Sequence, residues 1–92
     1  MALALITSTP YGVNANYHKI AELRLNPHMR ISYVELWSFV SIEAREAGAN
    51  PLAVHMFEWS GDEFPFQFDT NNFEIAYTKI KTLPEWSPAE DV

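Results

Sequence analysis

The sequence contains no cysteine, which excludes a disulfide framework and a thiolate zinc site and leaves the fold to packing alone. Glycine is scarce. The three residues Gly12, Gly48 and Gly61 lie too far apart to form a phosphate-cradling loop, and no Gly-x-Ser-x-Gly elbow is present. Bases are outnumbered, with 6 Lys and Arg against 12 Asp and Glu and a formal charge of −6. Such a surface repels phosphate backbones and anionic lipid, so neither a nucleic-acid nor a membrane partner is expected. The opening apolar run, Ala2 to Ile6, is too short to span a bilayer and has no basic residues before it, so a soluble chain without a cleaved leader is expected.

What is present suits one small domain over residues 1–92, ending in an acidic tail over 85–92. The 92 residues are 48% hydrophobic and include 6 Phe, 4 Tyr and 3 Trp, enough to build a core. The charge is unevenly placed. Met1–Phe57 holds 4 acids and 4 bases, whereas Glu58–Val92 holds 8 acids and 2 bases.

Leu3–Ser8 reads as a first strand, closed by the turn Thr9-Pro10-Tyr11-Gly12. Tyr17–Leu25 reads as a second, although Ile20, Leu23 and Leu25 alternate imperfectly with its charges. A turn at Asn26-Pro27-His28-Met29 leads into Arg30–Val40, which sets Ile31, Tyr33, Glu35, Trp37 and Phe39 on one face and Val34, Leu36 and Val40 on the other. Both faces are largely apolar, which predicts a central strand covered on both sides. At ~3.3 Å per residue this strand reaches roughly 36 Å, more than the roughly 32 Å span of so small a globule. The hairpin must therefore bend at a bulge or protrude.

Ser41 as cap and Gly48 as stop frame a short helix over Ser41–Ala47. Leu52–Trp59 reads as a strand with Val54, Met56 and Glu58 on one face. Phe64–Phe68 reads as an edge strand, because Pro65 cannot donate to a ladder. Asn71 and Glu74 form a capping box for a C-terminal helix with the stripe Phe73, Ala76, Tyr77, Ile80 and Leu83, ended by Pro84. The expected fold class is α+β: a mainly antiparallel sheet of about five strands, a short helix, and a C-terminal helix packed on one face. That helix covers part of one face, so the other needs a partner.

Catalytic chemistry finds little support. His18, His28 and His55 lack zinc-ligand spacing and read as surface or hydrogen-bonded histidines; a metal site would need the second and fourth strands adjacent, with His18, His55 and Glu58 converging. Glu35, Glu58, Asp62 and Glu63 lie among tryptophans, as a sugar hydrolase would have them, but they are scattered and the chain is short for a deep cleft. Glu35 is expected to pair with Arg24 or Arg30 across the hairpin. No enzyme, cofactor or metal is expected. The interface candidates are Tyr33, Glu35, Trp37, Phe39, Trp59 and Trp86, the tryptophans because indole joins a large apolar area to one donor. Trp86 lies in a tail that either frays, folds back onto the helix end, or inserts into a neighbouring subunit.

Four stretches carry a resemblance: Thr9-Pro10-Tyr11-Gly12, Tyr17-His18-Lys19-Ile20, Ser38 to Leu52 (SFVSIEAREAGANPL) and Ala76 to Val92 (AYTKIKTLPEWSPAEDV). In order along nearly the whole chain, they resemble short bacteriophage and prophage proteins encoded among tail-tip and tail-fibre genes. The resemblance implies a non-enzymatic virion component of the tail tip, baseplate or fibre attachment. Its partners would be other tail proteins and repeated copies in a symmetric assembly, and its location the virion after a stay in the host cytoplasm. The second expectation is a phage-encoded accessory binder, either a carbohydrate-binding module or an inhibitor of a host protein.

Overall fold

The computed structural model describes residues 1–67 and 70–92. Along the chain run β1 (Leu3–Thr7), β2 (Ala15–Asn26), β3 (Ile31–Phe39), α1 (Ile42–Glu46), β4 (Ala53–Ser60), α2 (Asn72–Lys81) and β5 (Glu90–Asp91). The five strands form one antiparallel open sheet in the order β4-β3-β2-β1-β5. The fold is α+β. No helix among the described residues is long and apolar enough to cross a membrane.

The β2–β3 hairpin meets its length problem in both ways open to it. The molecule is 40 Å along its longest axis, and β2 carries a bulge where Ile20 pairs with Leu36 but Glu22 pairs with Glu35, leaving Ala21 as the extra residue. The bulge explains the imperfect alternation of β2. Strict period two would send Leu23 and Leu25 to the face opposite Ile20; one inserted residue returns them to the same side. At the hairpin tip, the Asn26 side chain accepts the Met29 N–H at 3.1 Å. Arg30 there takes φ 53°, a left-handed conformation costly for a side chain of its size. Contacts around it hold that geometry: its Nε donates to the Gly61 carbonyl at 3.1 Å, its own carbonyl accepts the Gly61 N–H at 3.0 Å, and its guanidinium lies 5.8 Å from the Phe64 ring centre.

The inner face of the sheet carries the core. Leu3, Ile20, Val34, Leu36 and Trp59 share one buried cluster with Ala76, Tyr77 and Ile80 of α2, and a buried aliphatic or aromatic side chain contributes about 1.5–3 kcal/mol here. Asn71 caps α2 by accepting the Glu74 N–H at 3.3 Å. Ser41 does the same for α1 with the Ala44 N–H at 3.1 Å. Phe73, expected on the buried stripe, is 48% exposed. Where the β1–β2 ladder ends, the Tyr77 hydroxyl accepts the Ile20 N–H at 2.8 Å and donates to the Met1 carbonyl at 3.0 Å. One side chain thus ties α2 to both strands and satisfies two main-chain groups that would otherwise be left without partners.

A ten-residue helix is only about 15 Å long, so the rest of the inner face is closed by other segments. Phe64 and Phe66 are buried beside Trp59. Trp86 stands edge-on between two histidines, with ring centres 4.9 Å from His18 and 5.1 Å from His55. His18 Nε2 donates to the Leu5 carbonyl at 2.7 Å, so in the neutral ring Nδ1 accepts from Ser38 Oγ at 2.6 Å. Burial holds both histidines below the ordinary value of 6.5, against a raising contribution from the Leu5 hydrogen bond at His18 and from Glu85 at His55.

Several expectations are corrected. Residues 64–67 form no strand: a 3-10 turn over Gly61–Glu63 lifts the chain off the β4 edge and turns Phe64 and Phe66 into the core, while Phe68 lies outside the described residues. The fifth strand comes from the tail instead. Glu90 and Asp91 pair with Ala4 and Leu3, Ala2 and Val92 exchange both main-chain hydrogen bonds, and Lys81 holds Asp91 at 2.9 Å. The tail is neither frayed nor free: it folds back, but Trp86 seats against His18, His55 and Phe57 of the sheet rather than over the helix end. β3, expected as a central strand covered on both sides, is an interior strand next to the β4 edge with only its inner face covered, and β2 holds the centre of the sheet.

Two outcomes are expected. Tyr77→Phe leaves the buried Ile20 N–H without a partner and should lower unfolding free energy by about 1–3 kcal/mol in chemical denaturation. In a pH series of thermal unfolding, the histidines give a signed effect. Their folded values are lowered and the unfolded value is 6.5, so the unfolded chain binds protons first. Stability should be flat above that pH, fall as pH drops below it, and fall less steeply in His55→Gln.

Candidate functional site

The outer face of β3 presents Ile31, Tyr33, Glu35, Trp37 and Phe39, and the register fixes their neighbours. On β2, Arg24 lies opposite Tyr33, Glu22 opposite Glu35, and Lys19 opposite Trp37. On β4, Glu58 lies opposite Tyr33, Met56 opposite Glu35, and Val54 opposite Trp37. The bulge at Ala21 puts Lys19 and Glu22 on this same face. Nothing in the described chain lies over the centre of the row, and Tyr33, Glu35 and Trp37 are only half-buried.

Glu35 organises the row. Its carboxylate accepts the Tyr33 hydroxyl at 2.9 Å and the Trp37 indole N–H, gathering residues two places apart on the strand around one acceptor. The Trp37 bond, and then the Tyr33 bond, hold the Glu35 carboxyl below the usual carboxylate range; the same carboxylate raises the Tyr33 phenol. Arg24 is bound to Glu22 at 2.5 Å, with its guanidinium 5.2 Å from the Tyr33 ring centre. The expected Glu35 pairing with Arg24 or Arg30 is therefore corrected. Two uncharged donors on its own strand serve Glu35, Arg24 is taken by Glu22, and Arg30 by Gly61 and Phe64.

At one end of the row, Phe39 is 6% exposed and packs with Tyr17 and Ala2. Beside it, a hollow of about 850 Å³ opens between the sheet and α1, lined by Ala21, Trp37 and Phe39 and by Arg45, Glu46 and Glu22. Its lining joins a half-buried indole to charges of both signs.

Of the six residues expected at an interface, the structure gathers Tyr33, Glu35 and Trp37 on the open face and places Phe39 buried at its end. Trp59 and Trp86 belong elsewhere. They are 8% and 4% exposed on the inner side, where Trp59 stacks on Phe57 at 5.8 Å and Trp86 fills the space beyond α2. As surface anchors they are corrected: one helix leaves the inner face unfilled, and the indoles are what fill it. Met56 and Val54, 67% and 45% exposed beside Glu35 and Trp37, belong to the open face but were not singled out. The signal was their shared parity with Glu58.

The converging set His18, His55 and Glu58 does not form, because β3 separates β2 from β4 and Glu58 faces outward. Among the described residues no group of three His, Cys, Asp or Glu side chains is arranged to hold a metal. Glu63, one of the carboxylates considered for sugar chemistry, is bound by Lys79 at 2.7 Å in the turn after β4.

The Glu35 arrangement predicts a spectroscopic change. In Glu35→Ala the Tyr33 phenol loses its acceptor and the nearby negative charge, so its ionisation should move down toward the ordinary tyrosine value of 10.0 in an ultraviolet pH titration. Comparison with protein-family models, curated proteins and solved structures gives no match for this chain.

Proposed function

We propose that the protein is a non-enzymatic structural component of a bacteriophage tail, at the tail tip, baseplate or fibre attachment, working by docking against other tail proteins. The observation that carries the docking part is the uncovered outer face of β3. There a half-buried row of Tyr33, Glu35 and Trp37 continues into exposed Val54, Met56 and Ile31. A small domain that leaves such a row open gains by covering it with a neighbour. The aromatic groups, already fixed by Glu35, have little freedom left to lose on docking. The tail assignment itself rests on the resemblance of the segments around Thr9–Gly12, Ser38–Leu52 and Ala76–Val92 to short phage tail-region proteins.

A second reading, a phage-encoded accessory binder for carbohydrate, is favoured by the hollow beside Trp37. An aromatic face with adjacent carboxylates and an arginine is the kind of lining on which a sugar stacks and hydrogen-bonds.

Quantitative mass spectrometry of purified particles separates the readings. A tail component is expected at a fixed, integral copy number per particle, and its consistent absence from particles would sink the first reading. The second instead expects saturable quenching of tryptophan fluorescence by a sugar, lost in Trp37→Ala.

A further inference from the structure

β4 ends the sheet, and among the described residues no segment pairs with its outer side. The ladder shows which of its groups are unpaired. The Gly61 N–H bonds to the Arg30 carbonyl one step beyond the Ser60–Ile31 pair. Antiparallel geometry then makes Ala53, His55, Phe57 and Trp59 the residues that exchange hydrogen bonds with β3, and it turns the N–H and C=O of Val54, Met56 and Glu58 outward. Natural sheets guard such an edge with proline, lysine, a bulge or a covering loop. β4 holds no proline or lysine in its eight residues (AVHMFEWS), Glu58 is its single acidic guard, and no segment among the described residues covers it, whereas the opposite edge is the two-residue β5.

We propose that β4 is a self-pairing edge: two copies of the chain join β4 to β4 antiparallel about a two-fold axis, making one continuous ten-stranded sheet. The proposal gives the repeated copies of the proposed function a specific contact and rests on that reading only for its use in a particle.

Charge and side-chain pattern select a second copy as the occupant. In the symmetric register, Met56 lies opposite the partner's Met56 and each Glu58 opposite the other chain's Val54. On the inner side His55 lies opposite Phe57, and Ala53 opposite Trp59. Glu58 is the strand's single carboxylate. The two copies of it are about 14 Å apart along the strands, beyond the roughly 8 Å screening length of physiological salt. A basic foreign peptide would find that one carboxylate alone to meet, while a second copy finds an apolar or aromatic partner at the other positions. The pairing supplies about six main-chain hydrogen bonds from groups that now face solvent. A two-fold axis perpendicular to the sheet also keeps both outer faces on the same side, so the two Tyr33–Glu35–Trp37 rows become one surface.

Sedimentation over a concentration series of the full chain tests this. The wild type is expected to move from monomer to dimer. Met56→Pro removes one outward donor per copy without touching the β3 ladder, and Met56→Lys installs a charged guard. Each should weaken dimerisation by roughly a hundredfold with the far-ultraviolet circular dichroism of the monomer retained. The chain has no cysteine, so in Met56→Cys a disulfide can form only between copies, and fast oxidation to a covalent dimer is expected. This variant decides the matter should the proline variant fail to fold. A wild type that stays monomeric throughout, a dimer insensitive to both Met56 substitutions, or a cysteine variant that does not cross-link overturns the proposal. None of these readings depends on whether the chain is found in particles, which the mass spectrometry decides separately.

Discussion

The extra residue Ala21 in β2 governs both faces of the sheet. Without that bulge the strand could keep either Ile20 or the pair Leu23 and Leu25 against α2, but not all three, because side chains alternate with period two. With it, the core row is continuous on the inner side, and the charges Lys19, Glu22 and Arg24 all stand on the outer side next to Tyr33, Glu35 and Trp37. Apolar burial is the dominant favourable term in folding, so the core imposes the bulge and the bulge in turn assembles the outer face.

The second constraint is coverage. A five-stranded sheet offers two broad faces, and among the described residues there is one helix of useful length. On the inner face the deficit is met by aromatic side chains from loops and tail: Phe64 and Phe66 after the turn at Gly61, and Trp86 between His18 and His55. The tail is held there by more than its indole, since β5 pairs with β1 and Lys81 holds Asp91. On the outer face the deficit is not met. Its aromatic row is ordered by hydrogen bonds to Glu35 rather than by burial, which is how a charged residue comes to sit among aromatic groups with Arg24 nearby but no direct ion pair.

The fold was largely legible from local pattern. Capping residues placed both helices, and the length of Arg30–Val40 against so small a globule pointed to a bulge or a protruding hairpin. The apolar content of both faces of that strand, by contrast, suggested a double cover that the structure gives to one face alone. The candidate site was half legible. Period two put Tyr33, Glu35 and Trp37 on one face, but it could not say that this face is the open one, nor that Glu35 is served by its own strand neighbours. Phe64–Phe68 misled because alternating phenylalanines satisfy a strand pattern equally well when they plug a core from an extended loop.

The sequence by itself determined which residues share a face, where helices begin and stop, and that one helix would be too little cover for two apolar faces. These follow from the fixed periods of the backbone and from short-range capping. Only the tertiary structure decided which face is buried, that Trp59 and Trp86 fill it, and that the acidic tail supplies the fifth strand. Those outcomes depend on contacts between residues far apart in the chain, Tyr77 with Ile20 and Met1, or Trp86 with His18 and His55, and no local pattern records them.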